Sequence, residues 1–176
     1  MNLLIQKLLM GDCEMIIEGN AICLGDDVNT DIIYPGKYLT ITNRTEQALH
    51  VMEGLGEDWP QQLTKYSVVV AGWNFGCGSS REQAATALLG AGVKLVIAAS
   101  FSRLFFRNCI NNGLPVIESH RLSQVLSSDD YIYTDLSLGK AEIKKEVYAF
   151  EPLPSNLIAI VQNGGLLSEL STVGDE

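Results

Sequence analysis

A strand–helix–strand pattern in the middle of the chain constrains the fold more than any other feature. Residues 67–71 form a short valine-rich run with the length and composition of a buried strand, and residues 93–99 form a second such run. Between them, residues 84–89 are mostly alanine and leucine, which favour a helix. Two strands joined by a helix are typically parallel, so this order predicts a βαβ unit and an α/β fold.

The loop between the first strand and the helix carries the densest polar chemistry in the sequence. Gly76 and Gly78 carry no Cβ, so they allow the backbone to approach a ligand closely. Three polar residues follow at the predicted helix start, namely Ser79, Ser80 and Arg81. Unpaired N–H groups and the macrodipole at a helix start favour an anion, and an arginine can hold a carboxylate with two hydrogen bonds. This loop is therefore predicted to be an anion site.

A purely structural role for the same residues is the alternative. Ser79 followed three residues later by Glu82 has the spacing of a capping box, in which the two side chains satisfy free N–H groups at a helix start. On spacing alone, the capping box and the anion site are equally compatible with the sequence.

Three motifs, in this order, resemble the swivel domain of the aconitase superfamily, and the whole chain resembles the small subunits of the 3-isopropylmalate dehydratase family. The motifs lie at residues 26–36, 74–82 and 100–115. The resemblance implies an aconitase-type swivelling β/β/α domain, in which a small, mainly parallel sheet is flanked by helices. It also implies a single domain over residues 1–176, with residues 1–13 as an N-terminal extension.

The resemblance further implies a hydro-lyase reaction, in which water is removed from and returned to an alkyl-substituted malate. The expected reaction interconverts 2-isopropylmalate and 3-isopropylmalate, as in leucine biosynthesis. By resemblance, Ser79 is the catalytic base. The resemblance assigns substrate binding to five other residues, namely Ser80, Arg81, Thr30, Asp31 and Thr40. Arg103 and Asn108 are expected at the partner interface and at the floor of the active site.

The expected reaction requires a Lewis acid and therefore a partner. The four cysteines, at positions 13, 23, 77 and 109, lack the close spacing of iron–sulfur ligand sets, so no metal site is expected on this chain. The resemblance places a [4Fe–4S] cluster on a large subunit, and it implies a heterodimer or heterotetramer that is active only when both subunits are present.

The loop at residues 34–44 carries the expectation about substrate choice. In relatives that act on tricarboxylates, this loop typically presents an arginine to the extra carboxylate. Here Leu39, Thr40 and Ile41 occupy the middle of the loop, which favours an alkyl substituent. Homoaconitate is one alternative, because Lys37 and Arg44 flank this stretch and could supply a cation. Methyl-substituted malates are another, because the Leu/Thr/Ile surface leaves the exact alkyl group open.

Composition argues against several other classes of protein. The net charge of −9 disfavours a nucleic-acid or anionic membrane surface, since both require an excess of Lys and Arg. The apolar start of the chain is too short for a membrane span and lacks a signal cleavage pattern, so a cytoplasmic location is expected. A stand-alone anion- or nucleotide-binding module is an alternative, although the loop lacks the P-loop lysine. A cysteine hydrolase using Cys77 would need His50 or His120 as its base.

Outside the motifs, the sequence predicts further strands and helices. Residues 15–17 and 21–24 are predicted to form a hairpin, because a Gly-Asn pair separates them. The other predicted elements are a helix at 45–55, strands at 131–134 and 142–145, and a final helix within 157–170.

Overall fold

The structure is a computed structural model that describes residues 14–166. Its centre is a seven-stranded sheet with the strand order β4-β3-β2-β1-β5-β6-β7. The strands are β1 (Ile16–Cys23), β2 (Val68–Ala71), β3 (Leu95–Ala98), β4 (Val116–Glu118), β5 (Tyr131–Asp135), β6 (Lys140–Ile143) and β7 (Glu146–Ala149). The helices are α1 (Thr30–Ile33), α2 (Arg44–Ala48), α3 (Trp59–Leu63), α4 (Glu82–Gly90), α5 (Arg103–Asn111), α6 (His120–Val125) and α7 (Ser155–Gln162).

The sheet is parallel in one half and antiparallel in the other. Strands β1 to β4 pair in parallel, and β5, β6 and β7 extend the sheet from β1 by three antiparallel pairings. The predicted βαβ unit is confirmed as β2, α4 and β3. The mixed α/β architecture expected from the resemblance is also confirmed, although the antiparallel half is larger than a mainly parallel sheet suggests.

Two hydrophobic cores lie on the two faces of the sheet. All four residues of β2 are buried, and they alternate between the cores, with Val69 in one core and Val68 in the other. The first core contains side chains of α1, α4 and α5, and the second contains side chains of α6 and of the antiparallel strands. Burial on both faces explains why β2 is a continuous apolar run in the sequence.

The predicted hairpin at residues 15–24 is wrong, because this segment is the single strand β1. The first half of β1 pairs with β5 and its second half pairs with β2. A Cβ at Gly19 would lie 2.6 Å from the Cβ of Ser67. Glycine therefore lets the start of the β2 segment approach the middle of β1, and it does not turn the chain.

Three other predicted elements have different bounds in the structure. The helix predicted at 45–55 is shorter, because α2 ends at Ala48 and Met52 adopts a left-handed conformation with φ of 56°. The strand predicted at 142–145 ends at Ile143, and a turn at Lys144 and Lys145 leads to β7, which was not predicted. The predicted N-terminal extension at residues 1–13, and the end of the final predicted helix, lie outside the described residues.

The carboxyl ends of the parallel strands bring the three motifs together. The segment after β2 forms an isolated bridge from Phe75 to Phe101, which follows β3. A second bridge joins Cys77 to Asn29, in the segment after β1. This edge of a parallel sheet is where α/β folds bind ligands. Within residues 14–166, no helix is both long enough and apolar enough to cross a bilayer.

Candidate functional site

Residues 77–81, here called the Ser79 loop, are held by the first motif through Thr30. The backbone N–H of Thr30 donates to the carbonyl of Cys77 over 2.9 Å, and its hydroxyl donates to the carbonyl of Ser79 over 2.8 Å. Asn29 caps α1 by accepting from the Ile32 N–H, which fixes the helix start that presents Thr30. Thr30 is only 1% exposed, so its hydroxyl positions the Ser79 loop.

The side chain of Ser79 is exposed and has no hydrogen-bond partner within residues 14–166. Helix α4 begins at Glu82, and the residue at its N-cap position is Arg81, which makes no side-chain capping bond. The capping-box alternative is therefore wrong, because Ser79 lies two residues before the N-cap position. Ser79 is in an exposed loop beyond the carboxyl end of β2, as predicted, and its hydroxyl is free to act on a ligand.

Arg81 joins the Ser79 loop to α1 through an ion pair. Its Nη1 lies 2.5 Å from Oδ1 of Asp31 and donates a second hydrogen bond, over 3.2 Å, to the carbonyl of Tyr34. The Arg81 side chain is 13% exposed and that of Asp31 is 61% exposed. The hydrogen bond from Arg81 lowers the pKa of the Asp31 carboxyl below its ordinary value. Asp31 is thus an anion that orients the guanidinium.

The guanidinium of Arg81 keeps hydrogen-bonding capacity for a ligand. Both of its hydrogen bonds use Nη1, and Nη2 has no partner among the described residues. A Cβ at Gly36 would lie 3.3 Å from Nη2, so the backbone of Gly36 packs closely against this nitrogen. The sequence did not predict this contact between Gly36 and Arg81.

The third motif reaches the Ser79 loop from α5. The side-chain amide of Asn108 lies 3.5 Å from the hydroxyl of Ser80, a long hydrogen bond to an exposed serine. The ring of Phe105, also on α5, packs against Gly76, where a Cβ would lie 2.1 Å from the ring. The absence of a Cβ at Gly76 therefore makes room for Phe105. Arg103 is also on α5, where it lines a cleft with Phe101 and Glu118.

Thr40 makes no side-chain hydrogen bond to these residues within residues 14–166, although its loop is connected to them. It is exposed and follows a 3₁₀ turn at Gly36–Tyr38. The carbonyl of the preceding residue, Leu39, accepts a hydrogen bond of 3.3 Å from Gln83 of α4. Five of the six predicted site residues thus lie in the Ser79 loop or at the start of α1, and hydrogen bonds join these two segments. The sixth, Thr40, lies on a neighbouring loop.

The two cations that flank the Thr40 segment have other partners. The guanidinium of Arg44 donates to the side-chain carbonyl of Asn112 over 3.3 Å. The ammonium of Lys37 lies 3.6 Å from the carboxylate of Glu53. These contacts disfavour the arginine clamp that the sequence left open.

Among the described residues, the cysteine and histidine side chains do not come together in a catalytic or metal-binding group. Within residues 14–166, no group of three His, Cys, Asp or Glu side chains could hold a metal ion. The ring of His50 stacks on Tyr38, and the ring of His120 lies against Trp73. Neither histidine is hydrogen-bonded to Cys77, so the cysteine-hydrolase alternative lacks its base.

Comparison with known proteins identifies the family and agrees with the fold. Residues 26–121 match the family model of the aconitase C-terminal domain. The chain is 43% identical to the 3-isopropylmalate dehydratase small subunit of Saccharolobus islandicus (strain L.S.2.15), over 89% of this chain and 94% of the relative. It is 44% identical to the subunit of that name from Methanosarcina acetivorans, over 86% and 94% of the two chains. A crystal structure of 3-isopropylmalate dehydratase from Methanocaldococcus jannaschii superimposes with a TM-score of 0.82, at 41% identity, over 91% and 96% of the two chains.

Proposed function

Because the chain belongs to the aconitase C-terminal domain family, and within it to the small subunits of 3-isopropylmalate dehydratase, we propose that it is the small subunit of a hydro-lyase. The enzyme interconverts 2-isopropylmalate and 3-isopropylmalate by removing and re-adding water, a step of leucine biosynthesis in the cytoplasm. The observation that carries this proposal is the exposed Ser79 hydroxyl, which has no partner within residues 14–166 and lies two residues before Arg81.

Ser79 is the proposed base that takes the carbon-bound proton. A serine hydroxyl is a weak base at its ordinary pKa, so its deprotonated form must be stabilised by its surroundings. The cationic guanidinium of Arg81, in the same loop, favours negative charge on the Ser79 oxygen. Thr30 supports this role because it fixes the carbonyl of Ser79, which limits the positions that the hydroxyl can take.

Ser80 and Arg81 are the proposed ligands of a substrate carboxylate. Nη2 of Arg81 has no partner within residues 14–166, and the hydroxyl of the preceding residue, Ser80, is exposed. Asp31 holds the guanidinium in one orientation, which lowers the entropy lost when a carboxylate binds. Thr30 and Asp31 complete this side of the proposed site, and Thr40 lies on the loop proposed to face the alkyl substituent.

We expect the Lewis acid to come from a large partner subunit that carries a [4Fe–4S] cluster. The described residues do not fit such a cluster, because they contain no group of three potential metal ligands. A bound cluster supplies a metal centre that polarises the substrate hydroxyl. The two subunits form a heterodimer or heterotetramer, and the active site is completed where the Ser79 loop meets the partner.

Reconstitution with the large subunit tests the proposal. The two subunits are co-expressed anaerobically, purified through a tag on the small subunit, and assayed for formation of the unsaturated intermediate from 3-isopropylmalate. The expected result is co-purification of an iron–sulfur protein and activity that requires both subunits. Dehydration by the small subunit alone, without iron or partner, would contradict the proposal.

A further inference from the structure

The loop at residues 35–43, here called the Thr40 loop, is fixed at Tyr38 by an aromatic and polar contact. The ring of Tyr38 stacks on His50, with centroids 3.6 Å apart and an interplanar angle of 15°. Its hydroxyl donates to Glu53 over 3.1 Å, and its carbonyl accepts from the hydroxyl of Tyr34 over 3.0 Å. Tyr38 is therefore held through its ring, its hydroxyl and its backbone.

A second anchor fixes the loop at Ile41 and connects it to the helix that follows the Ser79 loop. The side-chain amide of Gln47 donates to the carbonyl of Ile41 over 2.8 Å. The carbonyl oxygen of the same side chain accepts from the hydroxyl of Thr86 over 2.6 Å. Thr86 is in α4, and Gln47 is only 3% exposed. This buried bridge fixes the distance between the Thr40 loop and α4.

The two exposed residues between these anchors, Leu39 and Thr40, lie in a turn that is bonded on both sides. The N–H of Ile41 donates to the carbonyl of Tyr38 over 3.0 Å, which closes the turn around them. We propose that the Tyr38–His50 stack and the Gln47–Thr86 bridge position Leu39 and Thr40 relative to Ser79 and thereby set the selectivity for the alkyl substituent of the substrate. This selectivity rests on the proposed function.

Rigidity explains how such anchors act on specificity. A well-fitted apolar surface discriminates a difference of one methylene by roughly 10- to 200-fold, because the misfitting substrate loses contact area. A loop that can shift adapts to a smaller or larger substituent, so discrimination falls. Tyr38, His50, Gln47 and Thr86 are positioning residues, since none of them needs to touch the substrate.

The test compares a double variant that removes the Gln47–Thr86 bridge with a control variant at another buried threonine. In the double variant Gln47→Met/Thr86→Val, both bridging groups become apolar, so neither is left unsatisfied in the interior. In the control Thr134→Val, the same change is made in β5, where the hydroxyl of Thr134 is buried without a partner. The variants His50→Ala and His50→Phe test the other anchor. Alanine removes the ring that stacks on Tyr38, whereas phenylalanine preserves the stack.

Two measurements on each variant separate the outcomes. Hydrogen exchange of the Leu39 and Ile41 amides in the full chain should be about tenfold faster in the double variant and in His50→Ala. It should be unchanged in Thr134→Val and close to wild type in His50→Phe. With the large subunit, the ratio of kcat/KM for isopropylmalate to that for a methyl-substituted malate should fall by about fivefold or more in the same two variants.

If exchange of the Leu39 and Ile41 amides is unchanged in the double variant and in His50→Ala, the proposed anchoring is wrong. If exchange is faster but the kcat/KM ratio is unchanged, the anchors do not set selectivity. If the double variant does not fold, the two His50 variants decide the same question. If the wild-type pair of subunits is inactive, the proposed function itself is contradicted. If the wild-type pair is active and the variants keep its selectivity, only the proposal about the anchors is contradicted.

Discussion

Arg81 and Asp31 form an ion pair, 2.5 Å between nitrogen and oxygen, that ties the Ser79 loop to α1. The pair joins two segments that are far apart in the sequence and that both follow parallel strands. Asp31 is mostly exposed, whereas Arg81 is mostly covered. Nη1 of the guanidinium is therefore held by an exposed carboxylate and by the Tyr34 carbonyl. Arg81 is thus preorganised before any ligand arrives.

The first prediction concerns the pH dependence of this pair. Because the pKa of Asp31 is lowered in the folded chain, the pair stabilises the fold above about pH 4, the ordinary pKa of an aspartate. That contribution is lost as the pH falls through the lower folded value. Asp31→Asn should therefore cost at most about 1 kcal/mol at pH 7, since the carboxylate is exposed. Urea unfolding of both proteins at pH 7 and pH 3 measures this, and an equal difference at the two values would contradict it.

Arg81→Lys should impair substrate binding while preserving the fold. Lysine retains the positive charge but cannot use separate nitrogens for Asp31 and for a substrate carboxylate. KM in the reconstituted enzyme should rise by about tenfold, because a hydrogen bond to a charged group contributes about 1.5–3 kcal/mol. Arg121→Lys is the matched control, since Arg121 lies over the ring of Tyr148 in β7. A KM equal to that of the control would show that Arg81 does not bind substrate.

Ser79→Ala should remove activity without altering stability. A general base contributes roughly 10²- to 10⁴-fold to the rate, so kcat should fall by at least that range. The Ser79 side chain is exposed and unbonded within residues 14–166, so the midpoint of thermal unfolding should stay within about 1 °C of wild type. Ser127→Ala, at another exposed serine, is the control. A stability loss of about 1 kcal/mol with normal kcat would contradict the catalytic role and indicate a structural role instead.

Gly76→Ala should destabilise the chain far more than the same change at Gly92. Both glycines have positive φ, 74° and 91°, so alanine costs about 1–2 kcal/mol at either position. A Cβ at Gly92 meets no atom within 4 Å, whereas one at Gly76 would lie 2.1 Å from the Phe105 ring. Gly76→Ala should therefore cost about 1–3 kcal/mol more, as overpacked cores do. Urea unfolding gives both values, and equal losses would mean that Phe105 can move aside.

The central fold was predictable because its signals are local. Strand β2 is buried on both faces, so it is a continuous apolar run, and α4 is rich in small helix-forming residues. The three motifs also indicated which residues would gather at the sheet edge. What the sequence could not give is which groups bond to each other, for example that Thr30 donates to the Ser79 carbonyl.

The incorrect predictions arose where a distant residue determines the role of a local pattern. Gly19 suggested a turn, but it accommodates Ser67 beside one continuous strand. The Ser79–Glu82 spacing suggested a capping box, but the loop backbone is held by Thr30 and the helix starts later. In each case tertiary packing overrode a short-range preference.

The last prediction concerns the substrate. Isopropylmalate should have a higher kcat/KM than homoaconitate, because an extra carboxylate buried near Leu39 and Thr40 would lack a cation and would cost several kcal/mol. Arg44 and Lys37 are disfavoured as that cation, since they contact Asn112 and Glu53. The measurement is kcat/KM of the reconstituted pair on isopropylmalate, a methyl-substituted malate and homoaconitate.

A substitution in the same loop sharpens this test. Thr40→Arg places a cation where the extra carboxylate would lie, so kcat/KM for homoaconitate should rise relative to isopropylmalate by about tenfold or more, or about 1.4 kcal/mol of discrimination. Thr64→Arg, at an exposed threonine just after α3, adds the same charge elsewhere and should leave the ratio unchanged. A tenfold preference of the wild-type pair for homoaconitate would show that the Thr40 loop does not face an alkyl group. A ratio unaltered by Thr40→Arg would place the distal end of the substrate away from this loop.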